Sequence, residues 1–297
     1  MISEKLYYDI ENNIYNNAGL YTKESATLVD ATILFEVKST EYREINAYAE
    51  TIERYKTYKI TLLKDLVLEL FRYASTISES ITTFSMSFTT TDKESIRDYL
   101  FYFWIDVVCA HEFSHIIYGH TDFLMAALCE FPAKQQHIDM IYLEAEADAH
   151  AAEIVLARLS TIIDKSDKLE HLYNGSATTR DKLSDFIAMM IIFFRFIGEF
   201  KVCDYTTHPT PFQRSFIFLS FFYGACNKID KLEVTQQEIQ KIVENNAQTY
   251  FKLVGNQKEL AQLLNDANNF QSSVDANLER IGIKEYSIKR KNSEPKK

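Results

Sequence analysis

Only seven glycines and four prolines punctuate the 297 residues of this chain. These residue types break helices and build tight turns, so their scarcity favours long helices joined by few sharp reversals. The apolar pattern agrees. Ser95 to about His120 reads as one long helix, and its apolar middle, Leu100-Phe-Tyr-Phe-Trp-Ile, marks it as central to the core. Ile138–Leu159, Lys182–Phe200 and Phe212–Cys226 read as further helices, and Thr235–Val254 and Gln257–Ile281 complete a helical C-terminal half. Strand signals are confined to the N-terminal third: the alternation in Ala31–Lys38, and the Thr-, Phe- and Ser-rich stretch Ile81–Thr91. Between them, Glu41–Arg54 and Ile60–Tyr73 read as helices. The expected class is α+β, mainly helical, with a small sheet near the N-terminal half.

No internal repeat and no low-complexity linker divides the chain, so one compact unit over residues 1–297 is expected. It comprises a mixed α/β part (1–95), a helical core (96–226), and C-terminal helices with a basic tail (227–297). The tail, Lys289-Arg290-Lys291 and Lys296-Lys297, reads as a solvated end.

Charge and cysteine usage narrow the partners. With 42 acidic against 32 basic residues the formal net charge is −10, and such a surface repels a phosphate backbone, so no nucleic-acid partner is expected. Cys109, Cys129, Cys203 and Cys226 lie far apart with no CxxC pair, which fits scattered thiols in a reducing compartment better than a disulfide scaffold or a thiolate metal site. The apolar runs Phe186–Phe194 and Phe216–Tyr223 fall short of the roughly 20 residues a bilayer core demands. The N-terminus has no hydrophobic signal region. A cytoplasmic protein without a membrane partner is the expectation.

The chemistry is concentrated in His111-Glu112-Phe113-Ser114-His115. On a helix, residues four apart share a face, so both imidazoles can address one tetrahedral zinc ion. Glu112 stands beside the first ligand, within reach of a water in the open coordination position, and can move its proton to a leaving amine.

A catalytic zinc requires a third protein ligand. Leu143-Glu-Ala-Glu-Ala-Asp-Ala-His-Ala-Ala152 supplies acids on a second helix. Glu144 and Asp148 share a stripe with Ala152, Val155 and Leu159 that faces the core, whereas Glu146, His150 and Glu153 fall on a stripe that reads as solvent-facing. Two carboxylates on an apolar face need a compensating cation. This favours Glu144 as the third ligand and Asp148 as the outer acceptor of a ligand histidine's N–H. His120, five residues after His115, is grouped with Asp148 as an outer residue behind the ligands, its alternatives being the third ligand, a rim group or a helix cap. The extended metzincin pattern is not met, because Tyr118 and Thr121 stand where it needs Gly and His.

A third segment, Thr207-His-Pro-Thr-Pro-Phe-Gln-Arg214, stiffens a loop that opens a helix and could aim His208 or Arg214 at a developing oxyanion. The order HExxH, ExxxD, HPxxxxR resembles the gluzincin metallopeptidases, and distantly the HtpX and CAAX-prenyl-protease relatives. That resemblance implies a zincin-like core, zinc on His111, His115 and Glu144, Glu112 as base, and helper roles for Asp148, His208 and Arg214. Lacking spans of the membrane-embedded families, the chain is more similar to the Lit-type phage-exclusion peptidases, through its length, His120 and the segment Glu44-Ile-Asn-Ala-Tyr-Ala49. This likeness implies antiviral defence by cleavage of a translation elongation factor, with an activating peptide or protein as trigger. A repressor-cleaving peptidase of a mobile element, and a non-enzymatic binding module with a structural zinc, are the alternatives. The connector Thr121–His137 is a candidate lid.

Overall fold

In a computed structural model the described residues are 5–16, 31–80, 86–127, 133–164, 172–173, 177–200, 202, 207–226 and short pieces between 235 and 280. Residues 5–16 are helical (α1). A three-stranded sheet follows, made of β1 (Thr32–Lys38), β2 (Ala47–Glu53) and β3 (Thr57–Leu63). Its order is β1-β3-β2, with β1 parallel and β2 antiparallel to the central β3. The remaining elements are helices α2 (Lys64–Glu79), α3 (Lys93–Ile117), α4 (His120–Ala127), α5 (Ala133–Asp164), α6 (Thr179–Glu199) and α7 (Pro211–Cys226).

The mainly helical α+β class and the strand at Thr32–Lys38 match the expectation, but the rest of the sheet does not. The helix expected over Glu41–Arg54 is instead the strand β2, and the helix expected from Ile60 begins at Lys64 because Thr57–Leu63 forms β3. Both departures have one cause. Ile60-Thr-Leu-Leu63 is a short apolar run compatible with either periodicity, and its burial between two neighbours is satisfied by strand pairing. Once β3 is extended, Tyr48, Thr51 and Ile52 favour the pleated partner position. The second strand expected over Ile81–Thr91 is also corrected: residues 86–91 lie outside any strand, and 81–85 fall outside the described residues. So do Cys129, Cys203, the middle of the connector, the basic tail and most of the C-terminal helices.

α3 is the axis of the fold. Asp92 caps its first turn, accepting from the backbone N–H of Glu94 at 3.1 Å and of Ser95 at 3.3 Å. From Ile96 onwards most of its residues are buried among α2, α5, α6 and the sheet. Trp104 is fully buried and donates its indole N–H to the Met189 carbonyl on α6 at 3.0 Å. By length and composition α3 could cross a membrane, but 83% of its most apolar window is buried inside this fold.

α3 ends at Tyr118, whose N–H bonds the Ser114 carbonyl. Gly119 then adopts φ 81°, the left-handed conformation that a side chain would strain. That single residue turns the chain directly into α4 and sets His120 beside the end of α3. α4 is pinned to the sheet by Asp122, which accepts from Tyr58 Oη at 2.8 Å and from Thr51 Oγ1 at 3.0 Å. Cys109 and Cys226 are buried free thiols.

Candidate metal centre

Helical geometry puts His111 and His115 one turn apart on α3, and α5 crosses them with Glu144. His111 Nε2 lies 3.0 Å from His115 Nε2 and 3.1 Å from Glu144 Oε2; His115 Nε2 lies 3.4 Å from Glu144 Oε1. All three residues are buried, and His111, His115 and Glu144 form a group able to hold a metal ion. Tetrahedral zinc with nitrogen and oxygen bonds of about 2.0–2.1 Å spaces its ligand atoms roughly 3.3 Å apart. The observed separations fall on either side of that spacing, so the donor set fits the ion.

Protonation makes the fit chemical as well as metric. His111 Nδ1 is 2.9 Å from Asp148 Oδ1 and donates to it, so Nε2 faces the cluster, where it donates to Glu144 in the metal-free chain and would offer its lone pair to a metal that displaces that proton. Asp148 is itself held by Arg214, from Nε at 2.7 Å and Nη2 at 2.8 Å. The 3.4 Å approach of Arg214 Nη2 to His111 Nδ1 therefore brings two donors together and is a packing contact rather than a hydrogen bond.

Electrostatics point the same way. Burial pushes the His111 imidazole down, but the Asp148 charge and hydrogen bonds to Asp148 and Glu144 outweigh it and lift it to about 10. Burial pushes Glu144 up, yet His115, His111 and His208 hold it well below the usual carboxylate range. Asp148 is likewise lowered, because Arg214 and His111 outweigh its burial. The carboxylates thus demand positive charge at this point. A proton on His111 meets part of that demand, whereas a divalent cation at the centre engages all three atoms together.

Glu112 is also buried, and burial raises its carboxyl above the ordinary value against the pull of His111 and His115. It makes no hydrogen bond to a described residue and faces the cavity. That cavity, about 390 Å³, is lined by the metal cluster, Glu112, His208 and Arg214, by Asn46–Ala49 at the start of β2, and by an apolar wall that includes Val107, Val108, Phe196 and Phe218. His208 is half-buried, with Nε2 3.5 Å from Glu144 Oε2 and Nδ1 2.8 Å from Thr207 Oγ1. Arg214, considered in the sequence for an oxyanion, spends two of its nitrogens on Asp148.

Glu146 departs from the sequence reading, whereas His120 takes the outer position expected of it. His120 is fully buried and stands behind His115 rather than capping the helix: its Nδ1 is 2.9 Å from His115 Nδ1 and its Nε2 is 2.9 Å from Glu146 Oε2. Burial drops the His120 imidazole to about 4 despite that carboxylate. Glu146, read as solvent-facing, is only 8% exposed. No local pattern announces it, because its partner sits on α4. Its stripe-mate His150 lies flat on the Tyr118 ring at 3.6 Å and pairs with Glu153, away from the converging atoms. Thr121 was also missed; its hydroxyl is buried, lines the cavity and has no partner among the described residues. No protein-family model, curated protein or solved structure matches this chain.

Proposed function

We propose that this protein is a zinc-dependent endopeptidase. The observation that carries the reading is the convergence of His111 Nε2, His115 Nε2 and Glu144 within 3.0–3.4 Å of one another beside an uncommitted buried carboxylate. A zincin-like core is supported by the layout, in which the HExxH helix α3 packs beside a small mixed sheet whose antiparallel edge strand β2 borders the same cavity.

His111, His115 and Glu144 would hold zinc, leaving a fourth position open to the cavity. Bound there, the ion supplies Lewis acidity towards a water and a peptide carbonyl. Glu112 takes a proton from the attacking water and delivers it to the leaving amine; its raised carboxyl suits both halves of that transfer. The substrate lies extended along the edge of β2 at Ala47–Ala49, which no other strand among the described residues covers. His208 stands at the ligand set, its Nε2 3.5 Å from Glu144 Oε2, and would face the developing oxyanion from there, while Arg214 acts through Asp148 to orient His111.

The motif resemblance makes a translation elongation factor the first target to try, in the setting of phage exclusion, and a repressor the second. The cytoplasm as location and an activating peptide or protein belong to the same reading. Its test is Glu112→Gln: zinc stays bound and cleavage falls by at least about 10²-fold. Retained cleavage refutes the base. The non-enzymatic reading survives if His208 supplies a fourth ligand, since zinc closed by four protein groups is structural; metal spectroscopy of His208→Ala decides this.

A further inference from the structure

His115 faces the cluster through Nε2, and whatever stands behind its other nitrogen decides whether Nε2 carries a lone pair or a proton. Behind Nδ1, at 2.9 Å, is Nδ1 of His120; behind His120 Nε2, at 2.9 Å, is Oε2 of Glu146. A contact between two imidazole nitrogens needs one donor and one acceptor. A carboxylate oxygen accepts, so His120 donates to Glu146 from Nε2. A neutral His120 protonated there has its lone pair on Nδ1, and accepts from His115 Nδ1–H. His115 is then left with a lone pair on Nε2, aimed at His111 Nε2 and Glu144. The direction of each bond fixes the next, from the carboxylate to the ligand atom. No bulk water competes along the way, because His115 and Glu146 are each 8% exposed and His120 is wholly buried. The other oxygen of Glu146 is 4.0 Å from His150 Nε2, too far to divert the bond to His120.

The two imidazoles of the cluster are therefore oriented by different devices. His111 is addressed by a carboxylate directly, Asp148 at 2.9 Å, whereas His115 is addressed through a second imidazole. The left-handed Gly119 makes the second device possible by returning the chain so that His120 meets His115.

We propose that Glu146 is a positioning residue: through His120 it locks His115 as the Nδ1–H tautomer and so presents the Nε2 lone pair to the metal. The metal-binding half of this statement rests on the zinc reading above; the tautomer is a property of the chain itself and is measurable without metal. The test begins with ¹⁵N NMR of the histidine rings in the full-length, metal-free protein at neutral pH. The expected pattern is His115 protonated on Nδ1 and His120 protonated on Nε2. His115 carrying its proton on Nε2 with a bare Nδ1 overturns the relay, whatever any variant does.

Two substitutions then separate orientation from packing. Glu146→Leu fills the space without an acceptor, and is expected to scramble the His120 and His115 tautomers and weaken zinc binding about 10–100-fold in a chelator competition. Glu146→Gln keeps an oxygen that can accept from His120, and is expected to restore the tautomer pattern and most of the affinity. Leucine behaving as the native residue in both readouts overturns the proposal. A native protein that shows the predicted tautomers yet takes up no zinc defeats the peptidase reading while leaving the relay intact.

Discussion

Arg214 grips both oxygens of Asp148, and Asp148 Oδ1 in turn sits 2.9 Å from His111 Nδ1, so a guanidinium on α7 orients an imidazole on α3 through a carboxylate on α5. All three side chains are buried. Removing the guanidinium strands a buried carboxylate, a loss that typically costs about 3–5 kcal/mol. Arg214→Met is expected to lower stability by that order in urea unfolding. Asp148→Asn,Arg214→Met, which removes the stranded charge, is expected to recover part of it. A double variant no better than the single one contradicts this account of the pair.

The sheet and α4 are joined by Tyr58 and Thr51 through Asp122. Tyr58→Phe removes one of two donors to a fully buried carboxylate and is expected to cost about 1–3 kcal/mol. Because α4 carries His120, zinc affinity should fall with it. Calorimetric unfolding alongside chelator competition checks both, and an unchanged Tm excludes the tether.

Asp185 gives the fold a pH dependence. Its carboxylate is 1% exposed and accepts from the Ser87 backbone N–H at 2.9 and 3.0 Å, joining α6 to the segment before α3. Burial lifts it from 3.8 to about 6 in spite of those bonds. Between those values the folded protein keeps a proton that the unfolded chain has released, so stability falls as pH rises through this window and then levels off. The shift corresponds to roughly 3 kcal/mol. Asp185→Asn should flatten the unfolding free energy between about pH 4 and 6; a native-like slope in the variant rules Asp185 out as its source.

Thr121 carries a buried hydroxyl with no partner among the described residues, on the cavity wall. Replacing it by the isosteric valine removes an unpaired polar group, so Thr121→Val is expected to leave stability unchanged or raise it by up to about 1 kcal/mol. A clear destabilisation means the hydroxyl is satisfied in solution.

What was legible in the sequence follows from which interactions are local. The i, i+4 pair His111 and His115 and the i, i+4 acids Glu144 and Asp148 each declare a helix face, and the two faces meet. The relay from Glu146 was hidden for the opposite reason. Its acceptor and donor lie on separate helices, 26 residues apart, and local periodicity assigns the acid to solvent. The sheet failed similarly: Ala47–Glu53 becomes a strand only because β3 pairs with it, and Ile60–Leu63 carries no period of its own. The left-handed turn at Gly119 fixes His120, yet a lone glycine after a helix marks only where the helix stops.

The central claim is that His111, His115 and Glu144 form a zinc site, and metal content tests it most directly. Native protein and His111→Ala, purified side by side and reconstituted with zinc, would be assayed for metal per chain together with their folding. About one zinc per native chain, lost from the folded variant, is the expected result. No zinc on the native chain after reconstitution, or equal zinc on both, contradicts it.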